Sequence, residues 1–334
     1  MGNENLKQIP QTDPQPKKTG KFFISVAILV FIQIGAGVLS AHYYAERSGF
    51  LGINTLNVLP FNVLKAIHIQ TAIFWIAISW MSAGIFLAPF ISGKEPKNQG
   101  LLVDILFVTM WLVGLSTLFG LYAGIKGWLP GNSWFWFGNQ RLSYLQLGHF
   151  DQLALFFSLI LWVFIIGRAL WPALKKQKGL SSLEHLLFYS GASIAGMYVF
   201  GMFPVNWIMT SFTLTDFWRW WVVHLWVEGA FTFFSIIVDT LSGKNPGWNA
   251  PPSGHSGFII SECFCGSSYI SGQSGMHSWQ PYTHSYVYAR SLSFYNTTLI
   301  WQWLRMPGDI LFATGAAWMS WDIIKKVRSV PKTN

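Results

Sequence analysis

Apolar residues in this chain come in long unbroken blocks, not in the two-residue alternation of a half-buried strand. Blocks long enough to cross ~30 Å of hydrocarbon begin near Phe22, Leu64, Leu101, Phe150, Leu183 and Phe217. A shorter one runs from about Gly308 to Ile324. A segment in lipid has no water for its N–H and C=O groups, so each block is expected to be an α-helix. The pattern predicts an all-α integral membrane protein with six to seven transmembrane helices. It divides into a polar tail at 1–21, a six-helix membrane core at 22–242, an irregular segment at 243–285, and a loop with a C-terminal transmembrane helix at 286–328.

Basic residues between the blocks set the expected orientation, because lysine and arginine stay on the cytoplasmic side. Lys17, Lys18 and Lys21 place the N-terminal tail inside, as a cytoplasmic segment with no large domain ahead of the first span. Lys94 and Lys97 then fall inside, as do Arg168, Lys175, Lys176 and Lys178. The connection 125–149, with Trp134-Phe-Trp-Phe137, falls outside, where such aromatics suit the membrane interface. The scheme is consistent up to Leu241 and then breaks. Six spans return the chain inside, so a seventh ends outside, yet that helix closes on Lys325-Lys326-Val327-Arg328. Between them, 243–285 is rich in Gly, Ser, Pro and His without helical or strand periodicity, and a loop of that length is unusual in a compact protein.

Composition agrees with a membrane protein: 52% of the 334 residues are hydrophobic, 17% aromatic and 10% charged. Soluble domains carry about 25% charged residues. The net charge of +9 does not point to nucleic acid, because the basic residues collect at span ends. The tail lacks the layout of a signal peptide. Cys263 and Cys265, one residue apart, match neither a zinc pair nor a thioredoxin-type motif.

Candidate chemistry centres on Trp218-Arg-Trp-Trp-Val-Val-His224-Leu-Trp-Val-Glu228-Gly229. At 3.6 residues per turn, His224 and Glu228 share a helix face. An ionisable group at mid-bilayer costs on the order of 2.5–3.5 kcal/mol, so the pair implies a metal, a proton path or a partner helix. A mixed imidazole and carboxylate set favours iron over metals that prefer softer ligands. Arg219 reads as part of an interfacial anchor or as the partner of an anionic group such as a haem propionate. His68, one turn into the second span, is a metal or haem ligand or an imidazole hydrogen-bonded to a neighbouring helix. His42, His149 and His185 sit at span ends, where solvated interfacial histidines are expected; His255, His277 and His284 fall in the irregular segment.

Several segments resemble the quinol-dependent nitric oxide reductases, relatives of the haem–copper oxidases. They are His68-Ile-Gln-Thr-Ala-Ile-Phe-Trp-Ile-Ala77, Ala88-Pro-Phe-Ile-Ser-Gly-Lys-Glu-Pro96, Trp134-Phe-Trp-Phe-Gly138, Arg168-Ala-Leu-Trp-Pro-Ala-Leu174 and Trp218–Gly229. Tyr288–Asn296 and Pro307-Gly-Asp309 are similar to the C-terminal part of the same enzymes, so the resemblance covers about 22–242 and 286–328. It implies a partial haem–copper-oxidase-like helix bundle in the inner membrane of a bacterium, multi-pass, surrounded by membrane lipid. It further implies an oxidoreductase that takes electrons from quinol through haem b to a haem and non-haem iron centre, where two nitric oxide molecules become nitrous oxide and water. Residue by residue, His68 matches an axial ligand of the low-spin haem, His224 a ligand of the non-haem iron, and Glu228 the adjacent glutamate that ligates iron or handles protons.

The chain also departs from that family. The remaining iron ligands come from an adjacent His-His pair, and the other haem ligands from a His-x-His motif; this sequence holds neither. Thr232 stands where a second glutamate is frequent, and His149 and Asp151 replace the usual Arg and Trp. The extramembrane domain that often precedes the core is expected to be absent. Missing central helices would account for both the lost histidines and the orientation conflict. The expectation is therefore an incomplete centre, inactive in this chain alone. Two other readings stay open: a disrupted-gene product or non-catalytic haem-binding membrane module, and a small proton-coupled transporter relaying protons through His224 and Glu228. If 243–285 is sequence read in a foreign frame, the coding DNA of that region carries the His-His and His-x-His motifs in another frame; finding neither motif there refutes the idea.

Overall fold

The computed structural model describes residues 15–46, 49–138, 145–177, 182–203 and 211–226, with positions 230, 234 and 237 and scattered positions between 310 and 328. The chain divides into two compact units. One comprises Met1–Phe23, Ile76–Trp248 and Val327–Asn334, the other Ile24–Trp75 and Asn249–Lys326. Among the described residues, the secondary structure is helical apart from one two-residue hairpin. The helices are α1 (Gln15–Ala45), α2 (Phe61–Ser92), α3 (Gln99–Ile125), α4 (Ser133–Phe137), α5 (His149–Leu174), α6 (Leu183–Met202) and α7 (Phe212–His224). The hairpin pairs β1 (Gly49–Phe50) with β2 (Ile53–Asn54), antiparallel.

Among the described residues, α1, α2, α3 and α5 are long and apolar enough to cross a membrane. Helix α6 occupies the expected fifth span and α7 the start of the sixth, whose remainder lies largely outside the described residues. The seventh block is described only at isolated helical positions such as Ile310, Trp318 and Trp321. On α3 the exposed residues Leu101, Ile105, Val108, Leu112, Leu115 and Phe119 follow a spacing of three and four, while Val103, Leu106, Met110, Val113 and Leu121 are buried on the other side. Both faces are apolar, as suits a helix with protein on one side and lipid on the other. Helix α5 repeats the arrangement, with Phe157, Ile160 and Phe164 outward and Trp162, Ile165 and Ile166 inward.

In the first unit, α5 packs against α3, α4 and α6, and α6 against α7. Lipid tails are as apolar as leucine, so close packing and interhelical hydrogen bonds hold such helices together. The Trp162 ring lies against two glycines, and its indole N–H donates to the Met81 carbonyl at 3.2 Å. A Cβ on Gly84 would stand 3.3 Å from that ring, and one on Gly191 3.6 Å. Buried Gln99 ties α3 to α5 by donating to the Ile165 carbonyl at 2.7 Å. Tyr198 ties α6 to α5 through the Gln152 carbonyl at 3.3 Å. Charge follows the same logic: Asp104, on α3, accepts from Lys18 at 2.7 Å and from Lys21, and Lys21 also lies over the Phe107 ring.

The second unit holds the rest of α1, the hairpin and the first half of α2. Ala36, Tyr43 and Leu64 form a small core flanked by Leu39, Leu59, Phe61 and Ile67. Tyr43 donates to the Leu59 carbonyl at 2.9 Å. The turn after α1 is held by Glu46, which accepts from His42 Nε2 at 2.7 Å and from the Gly52 N–H. Those bonds, the His42 one foremost, keep the Glu46 carboxyl below its usual range against an opposing desolvation effect. The resulting support for the turn is present above the ordinary carboxylate range and is lost as the pH falls through and below it.

Gly120 faces the α4 backbone so closely that a Cβ there would meet the Phe137 carbonyl oxygen at 1.7 Å, whereas nothing lies within 4 Å of one on Gly196. Gly120→Ala is therefore expected to lower the thermal midpoint of the detergent-solubilised chain. Gly196→Ala is expected to leave it level or raise it, by the ~0.5–1 kcal/mol that alanine gains over glycine inside a helix. Equal midpoints would show that α4 does not sit on α3 in this way.

Candidate functional site

His68 lies in the second turn of α2, half-buried, with α1 alongside. Its Nδ1 is 2.9 Å from the backbone carbonyl oxygen of Gln33. A carbonyl oxygen only accepts, so Nδ1 carries the proton. In a neutral imidazole the lone pair is then on Nε2, the nitrogen left to bind a metal. Metal-binding histidines nearly always donate their other N–H to a carboxylate, a backbone carbonyl or water, which fixes tautomer and ring orientation. Trp75, two turns further along α2, donates its indole N–H to the side-chain oxygen of the same Gln33 at 2.6 Å. The sequence leaves open a choice between a metal ligand and an imidazole bonded to a neighbouring helix. The geometry realises the second of these at Nδ1 and leaves Nε2 in the state that the first requires. One axial position of a haem is thus fitted by this residue's donor chemistry.

The tryptophan-rich segment starts as expected. Ser211 caps α7 by accepting from the Leu214 N–H at 3.3 Å, as serine does at a helix start. Aromatic contacts join α7 to the end of α6: Trp218 donates to the Phe200 carbonyl at 3.0 Å, and Phe200 meets Trp221 edge-on at 5.6 Å between centroids. Half-buried Arg219 sits on this aromatic stretch. His224 is the last residue of α7. Beyond it the backbone at Leu225, Trp226 and Ala230 winds as a wider π-type turn. Such turns carry more than 3.6 residues and recur at functional sites. Glu228 and Thr232 lie outside the described residues, as do His255, His277, His284, Cys263 and Cys265.

Two expectations about the remaining histidines are corrected. His42 and His185 are not solvated: they are 5% and 8% exposed. His42 is covered by Phe50, ring to ring at 4.5 Å, and bonded to Glu46. His185 lies in the first turn of α6, where its Nδ1 is 2.9 Å from the Ser182 hydroxyl. His149 is half-buried and stacks on Phe135 at 4.8 Å. At the ends of spans the chain folds back over these rings, a contact that hydropathy does not record.

A buried polar group absent from the candidate residues lies where α5 begins. Asp151 is 1% exposed and Gln152 2%, and the Asp151 carboxylate accepts from Ser116 on α3. Trp134–Phe137 of α4 covers this end: a Cβ on Gly148 would meet the Trp136 and Phe137 backbone at 2.4–2.8 Å. The available signal is an acidic residue three positions into an apolar block, preceded by glycine. It favours the positive end of the helix dipole and gives no hint of burial.

Among the described residues, no three His, Cys, Asp or Glu side chains converge as a metal-binding group. A non-haem iron site is therefore not assembled from them. A nitric oxide reductase subunit from Stutzerimonas stutzeri is 24% identical over 231 residues, which is 68% of this chain and 44% of that protein. The chain thus spans less than half the length of that relative. The family model for cytochrome c and quinol oxidase polypeptide I matches residues 17–241. That stretch takes in the α1–α7 helices almost entirely, and the chain belongs to the cytochrome c and quinol oxidase polypeptide I family, within the haem–copper oxidase superfamily of membrane oxidoreductases.

Proposed function

We propose that this chain is the partial core of a quinol-dependent nitric oxide reductase. In this reading His68 is an axial ligand of a low-spin haem b, and Arg219 is a partner of a haem propionate. His224 and Glu228 are part of a non-haem iron site, with Glu228 also handling protons. The observation that carries the reading is the fixed tautomer of His68, with Nδ1 donating to the Gln33 carbonyl and Nε2 left as a lone-pair donor. The similarity to a nitric oxide reductase subunit supports the choice of substrate within the family, and the quinol donor follows from the segments that resemble the quinol-dependent type.

A haem bound here supplies one-electron transfer, with a potential tuned by ligand identity and the hydrogen bonds around it. The protein's own residues do the rest. Gln33 holds the Nδ1 proton, so the ring presents one nitrogen only. Arg219 has a planar guanidinium suited to bind a carboxylate through two parallel bonds. The sequence contains neither a His-His pair nor a His-x-His motif, so the chain by itself does not complete the centre and does not consume nitric oxide. A second reading, a non-catalytic membrane module that binds one haem, has the same support at His68 and needs no further ligand. The two differ in whether turnover appears once a partner chain supplies the lost histidines.

Membranes containing the chain are expected to show a b-type haem band in the reduced-minus-oxidised spectrum. The band is lost in His68→Ala and kept in His185→Ala, whose ring is occupied by Ser182. The purified chain is expected to consume nitric oxide no faster than a membrane blank. A band that survives in His68→Ala refutes the ligand assignment, and turnover by the purified chain refutes its incompleteness.

A further inference from the structure

We propose that Gly37, Gln33 and Trp75 act together as a positioning device for the His68 imidazole, with Gly37 as the window through which the ring reaches the α1 backbone. The proposal rests on the reading of His68 as a haem ligand and deepens it. In a regular α-helix the carbonyl of residue 33 accepts the N–H of residue 37. The oxygen that holds His68 therefore belongs to the turn that Gly37 closes. A carbonyl oxygen has two lone pairs and can serve both donors, but only if nothing on residue 37 covers it. A Cβ on Gly37 would stand 2.8 Å from both Nδ1 and Cε1 of His68, closer than such atoms approach. Any side chain there displaces the ring from its carbonyl. Gly35, two residues earlier on the same helix, has nothing within 4 Å of its Cβ position. Glycine weakens a helix interior wherever it stands, and at 37 the chain gains a contact that no other residue permits.

Gln33 is held from two sides by one face of α2. His68 and Trp75 are seven residues apart, two turns along that face and about 10 Å along the axis. His68 donates to the main-chain oxygen of Gln33 and Trp75 to its side-chain oxygen. The indole bond fixes α1 against sliding along α2 and so keeps the carbonyl opposite the imidazole. A ligand N–H held by a carbonyl makes the other nitrogen more basic. That favours the oxidised iron, so loosening this grip raises the midpoint potential of the haem.

The test compares variants of the full chain loaded with haem b, reading haem per protein and the midpoint potential. Gly37→Ala is expected to weaken haem binding about 10- to 100-fold, the usual cost of losing such a partner, and to raise the potential of the haem that remains. Gly35→Ala is expected to match the wild type in both. Trp75→Phe and Gln33→Leu each raise the potential by the same amount, and the double variant raises it no further, because both remove one shared bond. A contact that merely packs α1 on α2 would lower thermal stability and leave the potential where it was. Gly37→Ala and Gly35→Ala behaving alike would overturn the proposal, as would additive effects of the Trp75 and Gln33 changes. Retention of haem by His68→Ala is a different failure: it removes the ligand assignment itself.

Discussion

A polar group on a membrane span has no water to bond to, and the partner it finds inside the protein decides what chemistry is left to it. At His68 that partner is a backbone carbonyl, which accepts from one ring nitrogen and leaves the lone pair on the other. The rest of the functional reading depends on this bond. Had the ring met a carboxylate and a hydroxyl instead, both nitrogens would be used and no ligand would remain. The same constraint organises the structural contacts. Asp104 is flanked by Lys18 and Lys21, the Trp162 indole ends on the Met81 carbonyl, and the Gln99 amide ends on the Ile165 carbonyl. In each case a side chain from one helix satisfies itself on another, which holds helices together where burial of apolar surface does little.

Glycine is the complementary device. Helices that must share a hydrogen bond have to approach, and a missing Cβ permits it. Gly84 and Gly191 let the Trp162 ring lie between α2 and α6, Gly120 and Gly148 let α4 close over the start of α5, and Gly37 lets an imidazole touch the main chain of α1. Two of these uses serve packing. The third brings the His68 ring, the proposed ligand, against the α1 backbone.

Much of this was legible in the sequence. Block length marks the spans because the thickness of hydrocarbon sets it, and α1, α2, α3 and α5 begin within a few residues of the blocks, apart from the N-terminal extension of α1. His68 stood out because an imidazole inside an apolar block needs a reason. Hydropathy counts length and says nothing of partners, so the covering of His42 by Phe50, the contact of His185 with Ser182 and the burial of Asp151 against Ser116 were not readable. The winding of the backbone after His224 escapes a sequence reading for a related reason. A 3.6-residue period is the default for a continuous apolar run, and a local widening leaves that run unchanged. Gly35 and Gly37 look alike in the sequence; only the placement of α2 distinguishes the open one from the one a ring occupies.

Membership of the haem–copper oxidase superfamily gives the bundle its general role as a redox membrane protein, and the proposed ligand role of His68 rests on the state of its imidazole. The direct test is nitrogen-15 NMR of the histidine-labelled chain in detergent at neutral pH and without haem, with the His68 signals assigned by difference against His68→Ala. The expected result is a protonated Nδ1 and an unprotonated Nε2. A His68 ring that carries its proton on Nε2 would contradict the ligand assignment, because the Gln33 carbonyl would then have no donor from the ring and the proposed haem no ligand.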